Sequence, residues 1–313
     1  MVDVMTNYGI LKGVSIAQYY TTGEISECTL KEYCELKTEI GSFVPRFEED
    51  GIRTKSTSTV AFYRSGKLKS VALNSREMVV TPIGNIKSEL ITFYENGNIK
   101  KVFPVNGKIT AFWTEQNEYE LAEIIELKLK IGQIKTKVVA LSFYESKKLK
   151  SITFWRKDRV KLKTPIGIVE VRMGLALYKN GEIKSLEPLS KIRVKTPIGT
   201  ILAYDINAIG ISGDKNSLCF YGNGEIKSLI TSTDKIEIYN NVGEYIRSIK
   251  PKLKSSLFRE DKLEVVPYKV EFLGDRVKFG NTGEVFNINN YKFRIVNDFY
   301  EISTNTNSCS SCT

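Results

Sequence analysis

A chain of 313 residues with 42% hydrophobic and 26% charged residues has the composition of an ordinary soluble globular protein. Its formal net charge of +10 admits anionic partners, while the complete lack of histidine removes the commonest general base, the usual catalytic triads and all imidazole metal ligation. Any enzymatic chemistry would rest on carboxylates, lysine, tyrosine or cysteine alone, and no cofactor is expected.

Residues 1–59 read as an N-terminal cap that holds a degenerate first repeat. The start, Met1-Val2-Asp3-Val4-Met5-Thr6-Asn7, has neither a basic opening nor an apolar run of signal-peptide length. No stretch approaches the ~18 apolar residues of a membrane helix, so no transmembrane segment is expected. Five cysteines form an odd and sparse set, a poor disulfide framework, and a reduced, cytoplasmic protein follows as the expectation. The segments 14–20 and 24–30 read as a first hairpin. Glu48-Glu49-Asp50 is a solvated loop, since calcium binding needs alternating oxygen ligands that this run lacks.

Residues 60–250 carry a recurring phrase, clearest in Leu218-Cys219-Phe220-Tyr221-Gly222-Asn223-Gly224-Glu225-Ile226-Lys227-Ser228-Leu229. Aligned copies place Tyr20, Tyr63, Tyr94, Tyr144, Tyr178 and Tyr221 in one column, and Gly23, Gly66, Gly97, Lys147, Gly181 and Gly224 three positions later. Before the turn, Phe62, Phe93, Phe143, Leu177 and Phe220 fall on one face of a strand and Ala61, Thr92, Ser142, Ala176 and Cys219 on the other. The wording predicts a type I turn closed by a left-handed glycine, with strain at Lys147. A second phrase alternates with it: Thr81-Pro82-Ile83-Gly84, Thr164-Pro165-Ile166-Gly167 and Thr196-Pro197-Ile198-Gly199, with worn versions ending at Gly41, Gly132 and Gly243. It predicts further hairpin turns. Two turn types at near-fixed spacing imply an all-β antiparallel meander of repeated hairpins, about twelve strands forming an elongated curved or rolled sheet.

Two insertions interrupt the array. Thr114 can cap one short helix near 114–126 whose first turn is acidic, with Leu121, Ala122 and Ile125 on one face. The segment 206–216 lengthens a link into an irregular loop without the spacing of a phosphate-binding loop. Residues 251–302 read as a C-terminal β cap, with strands at 269–273, 276–279 and 291–296. Residues 303–313 form a low-complexity tail whose Cys309 and Cys312 lack the further ligands of a zinc site, unless Cys28 and Cys34 supply them.

Lys69, Lys100, Lys150, Lys184 and Lys227 form one column beside Tyr63, Tyr94, Tyr144, Tyr178 and Tyr221. The lysines are candidates for anion binding and the tyrosines for partner binding; the plainer role of both is to protect strand edges and pack across the sheet. Asp205 with Asp214, and Glu118 with Glu120, are the nearest carboxylate pairs, but proximity in sequence is no active site. The Phe-Tyr-x-Asn-Gly-x-Ile-Lys-Ser wording resembles MORN-type repeats, especially the variant copies of bacterial antitoxin-like proteins. That resemblance implies side-by-side hairpins used for protein scaffolding, in some members in contact with lipid, and carries no catalytic residue. Missing later glycines and the Thr-Pro-Ile-Gly hairpin depart from it. The expected function is a non-enzymatic scaffold for protein–protein interaction through the curved face and the loops 113–128 and 205–217. The alternative is an anion-binding module, for nucleic acid or acidic lipid, using the lysine and tyrosine columns.

Overall fold

The computed structural model describes residues 2–48, 51–53, 58–107, 109–110, 112–209, 213–256, 263–280 and 282–298. The readings made for Glu49, Asp50, Cys309 and Cys312 lie outside them. The chain forms two compact units, one of Met1–Leu186 with Gly210–Asn216, the other of Glu187–Ile209 with Ser217–Thr313.

All six tyrosine turns close in the same way. The tyrosine N–H donates to the carbonyl four residues on, and the N–H three residues on donates back to the tyrosine carbonyl, as in Tyr94 to Asn98 (2.8 Å) and Gly97 to Tyr94 (3.0 Å). The five glycines adopt φ between 74° and 96°, and Lys147 is forced to 65° in an otherwise identical turn. The expected strain is therefore present, but the turn is not altered.

In the first unit these turns join strands into one antiparallel sheet. Val2–Thr6 pairs with Gly9–Tyr19, which pairs with Ile25–Leu30, then Val60–Phe62. The order continues through Leu68–Thr81, Gly84–Phe93, Ile99–Phe103, Gly132–Phe143, Leu149–Phe154 and Gly167–Leu177. Phe62, Phe93, Phe143 and Leu177 are all no more than 2% exposed, and the small residues of the other face are covered too at Ala61, Ser142 and Ala176.

Within this antiparallel meander of hairpins, the Thr-Pro-Ile-Gly turns cap hairpins that leave the tyrosine-turn sheet and form a second tier. Along Leu68–Thr81 the pairing with Gly84–Phe93 breaks after Ala72 and resumes at Glu77, so the long strands bend between sheet and hairpin. The hairpins turn back toward the tyrosine turns: Pro82, Ile83 and 128–130 line the same cleft as 146–149 and 177–181. Each hairpin buries one side, through Val79 and Ile86, Leu127 and Ile134, or Leu162 and Val169. At the tip the threonine hydroxyl donates to the glycine carbonyl and accepts an N–H, as Thr164 does with Gly167 (2.7 Å) and Ile166 (3.2 Å). Gly41, Gly84, Gly132, Gly167 and Gly199 take φ of 108–135°, in the positive range the wording predicted but larger than at the tyrosine turns. The worn copy at Gly243 is not of this kind: Asn240 and Gly243 make the hydrogen bonds of a tyrosine turn.

In the second unit, Leu218–Phe220 and Ile226–Thr231 pair, and Tyr268–Leu273, Arg276–Phe279 and Val285–Asn287 extend that sheet. Tyr291–Val296 lies beside Lys235–Asn240, which also pairs with Tyr245–Ile249. The segment read as a cap from 251 thus supplies strands to the same sheets as the last repeat. Asp234 is fully buried and accepts from the Leu202 N–H (2.7 Å) and the Asn297 amide (2.7 Å). Burial pushes its carboxyl pKa up, although these donors oppose the rise.

Lys147→Gly removes a Cβ from a left-handed position and is expected to stabilise the first unit by about 1 kcal/mol. Urea denaturation of the two proteins measures the difference.

Candidate functional site

The tyrosine column is built into the frame. The hydroxyl of Tyr20 donates to the carbonyl of Phe62 (2.9 Å), Tyr63 to Phe93 (2.8 Å), Tyr94 to Phe143 (2.9 Å) and Tyr144 to Leu177 (2.8 Å). Each acceptor is the residue just before the next tyrosine, so the bond ties one repeat to its successor. In the second unit Tyr221 donates to Phe272 (2.6 Å), which shows the frame continuing where the repeat wording has faded. All five tyrosines proposed for partner binding are half-buried, and four of their hydroxyls are engaged in this way.

The lysine column lies on those rings. Lys69, Lys100, Lys184 and Lys227 stand 5.6–5.9 Å from the ring centres of Tyr63, Tyr94, Tyr178 and Tyr221. Lys150 departs from the pattern and pairs with Asp214 at 2.9 Å, a contact that raises its pKa. Lys69, Lys100 and Lys184 are exposed; Lys227 belongs to the second unit.

The loop at 205–217 is less free than the sequence implied. Gly213 donates its N–H to the Thr153 hydroxyl (2.9 Å), and a Cβ there would stand 2.3 Å from the Ile152 carbonyl oxygen. Asn216 donates to Ser185 (2.9 Å) and touches Gly174 so closely that a Cβ on that glycine would meet its amide oxygen at 2.4 Å. Residues 213–216 therefore bed onto a face of small residues, and the narrow side chains at Thr153, Gly174 and Ser185 are what admit them.

The first insertion is different. Thr114 caps the helix Glu115–Leu121 with a reciprocal bond to Asn117. Glu118, read with Glu120 as a carboxylate pair, is 0% exposed while Glu120 is exposed, so the two stand apart in environment. The two Glu118 oxygens accept from Nε and Nη2 of Arg53 (3.2 and 2.8 Å), and Nη1 and the shared Nη2 form a second paired contact with Glu89 (both 2.8 Å). The Asn106 N–H adds a further bond to Glu89 (2.9 Å). Burial would lower the Arg53 pKa, but the two carboxylates outweigh it and the guanidinium is held charged. Ala122, Val105 and Trp155 form a small core under the helix, with Tyr119 and Leu121 against it. Ile125 lies on the following strand, Ile124–Leu129, so the expected three-residue helix face is shorter.

On the outer side, Tyr119, Trp155, Gln116, Arg156 and Lys157 enclose a cleft of about 240 Å³. The Tyr119 and Trp155 rings meet edge to face at 5.8 Å, and Lys137 sits 4.2 Å from the centre of Tyr119. Phe112, on the approach to the helix, is 81% exposed. Sequence reading missed Arg53, Phe112 and Trp155; a lone arginine in a polar segment and two scattered aromatics give no pattern.

Among the described residues no cluster of three or more metal-ligating side chains is found, and no helix is long and apolar enough to cross a membrane. Cys28 and Cys34 are buried, and burial pushes the Cys28 thiol up to about 12. Comparison with protein-family models, curated proteins and solved structures finds no match.

Two outcomes are expected. Arg53→Met removes the guanidinium shared by two buried carboxylates and is expected to cost about 3–5 kcal/mol. Because both tryptophans, Trp113 and Trp155, belong to this region, the loosening should red-shift tryptophan fluorescence before global unfolding in urea. Tyr144→Phe orphans the Leu177 carbonyl and is expected to cost about 0.5–1.5 kcal/mol. Burial raises the pKa of Tyr63 and Tyr144, so the stability each contributes is full below its unfolded value of about 10 and is lost as pH rises through the raised folded value. The Tyr144→Phe protein should lose less stability than the parent between neutral and strongly alkaline pH.

Proposed function

We propose that the chain is a non-enzymatic repeat scaffold that binds a partner protein through the insertion of its third repeat. The observation that carries this reading is the cleft of Tyr119 and Trp155 on the outer side of a helix held by Arg53, with Phe112, 81% exposed, two residues before the helix cap. Aromatic and arginine side chains around a small apolar cleft are the composition of an interface centre. A buried ion network holds that surface in one orientation, which lowers the entropy lost on binding.

The repeat scaffold also agrees with how the columns are used. Tyrosine hydroxyls, turn glycines and threonine tips serve the frame, so variation for recognition falls on insertions. The rival reading, an anion-binding lysine column, has less support, because Lys150 is paired with Asp214 and the other lysines rest on rings.

The test is a pull-down with the full chain from lysate of its source cells at low and high salt. A stoichiometric protein partner retained at high salt, and lost with Phe112→Asp, is expected. Recovery of nucleic acid or lipid alone, released by salt, would overturn the reading, since phosphate contacts weaken steeply with ionic strength.

A further inference from the structure

A second concave site lies in the first unit where the two kinds of turn meet. The hairpin tip 128–130 and the tyrosine turns 146–149 and 177–181 enclose a cleft of about 530 Å³. Lys128, Lys130, Lys147, Lys148 and Lys179 line it, with Asn180, and no carboxylate is among its lining residues. All five lysines are exposed. Lys130 pairs with Glu182 beside the cleft, and Lys179 lies 5.8 Å from the ring centre of Tyr144. Among the described residues, Lys128, Lys147 and Lys148 form no ion pair.

Only Lys147 breaks the glycine column, and it does so here. It holds φ of 65° where the five equivalent positions carry glycine at the same turn. A glycine would relieve the backbone; a lysine adds a cation to the rim of a cleft that already has four. Local strain of this kind is tolerated where the side chain is needed. Gathering five like charges in one concavity raises the local potential and concentrates anions. Nothing in the hairpin architecture requires that arrangement: the corresponding cleft of an earlier repeat, lined by Tyr8, Lys37, Glu39, Lys67, Asn96 and Gly97, mixes two lysines with a carboxylate.

From this geometry we infer that the cleft binds a compact anion carrying several phosphate groups, held by Lys128, Lys147 and Lys148 with Lys130 and Lys179 closing around it. A small ligand fits better than a polymer, because the charges converge from three turns on one cavity instead of following a line. This site is separate from the protein-binding insertion and does not depend on that reading.

Isothermal titration calorimetry of the full chain with sodium tripolyphosphate tests it. One site is expected, with affinity falling at least 10-fold in Lys147→Gly, although that variant should melt at the same or a higher temperature. Lys128→Gln with Lys148→Gln should abolish binding, while Lys161→Gln with Lys163→Gln, on an exposed hairpin side, should leave it unchanged. The same proteins are then sedimented with phosphatidylserine vesicles and titrated with a single-stranded oligonucleotide. Absence of tripolyphosphate binding would overturn the inference, whether or not vesicles or oligonucleotide are retained. So would equal affinity of the parent and Lys147→Gly, or equal loss in the control pair, which would mean general charge attraction.

Discussion

The bond from each tyrosine hydroxyl to the carbonyl just before the next tyrosine is the contact on which the first unit depends. A β-sheet already satisfies its own backbone along the strands, but where a turn begins the chain leaves the ladder and a carbonyl loses its partner. Tyr20, Tyr63, Tyr94 and Tyr144 supply that partner from the preceding repeat, in the same geometry each time. Every repeat is thus fastened to its neighbour at the turn as well as along the strand. That is how a nearest-neighbour array acquires stiffness. The ring that reaches across also gives a resting place to the lysine of its own turn, so one residue type serves both the fastening and the solvent edge.

Once the frame is fixed, the second tier becomes possible. The long strands leave the sheet through a bulge and fold their hairpins back, which buries Val79, Leu127 and Leu162 and brings hairpin tips beside tyrosine turns. The clefts between tips are the result. Their chemistry is set by residues that the hairpin pattern leaves unconstrained, lysines in one case and a mixture of charges in another.

The insertions obey a different rule, since they have no ladder to hold them. Residues 213–216 are fixed by steric fit onto a face of Thr153, Gly174 and Ser185. The helix Glu115–Leu121 is fixed by charge, through Arg53 between Glu89 and Glu118. A buried guanidinium with two carboxylates is costly to desolvate, and its retention fits a need for orientation more than for stability. The aromatic cleft inherits that orientation.

The antiparallel hairpins, both turn positions, the strain at Lys147 and the helix near Thr114 were legible from residue order, because each follows from local chemistry: period-two alternation, glycine at positive φ, a capping hydroxyl. Residue order also made the tyrosine column visible, though not its use, since a hydroxyl's acceptor lies 30 to 49 residues away in the first unit's later bonds. That the Thr-Pro-Ile-Gly hairpins form a separate tier, that Gly243 closes the other kind of turn, and that the chain divides at Leu186 emerge from the folded chain alone. It alone joined Arg53 to Glu118 across 65 positions and drew five lysines from three turns into one cleft. Such contacts depend on how far a strand bends and where a hairpin lands, and those are set by the packing of the whole unit rather than by any short run of residues.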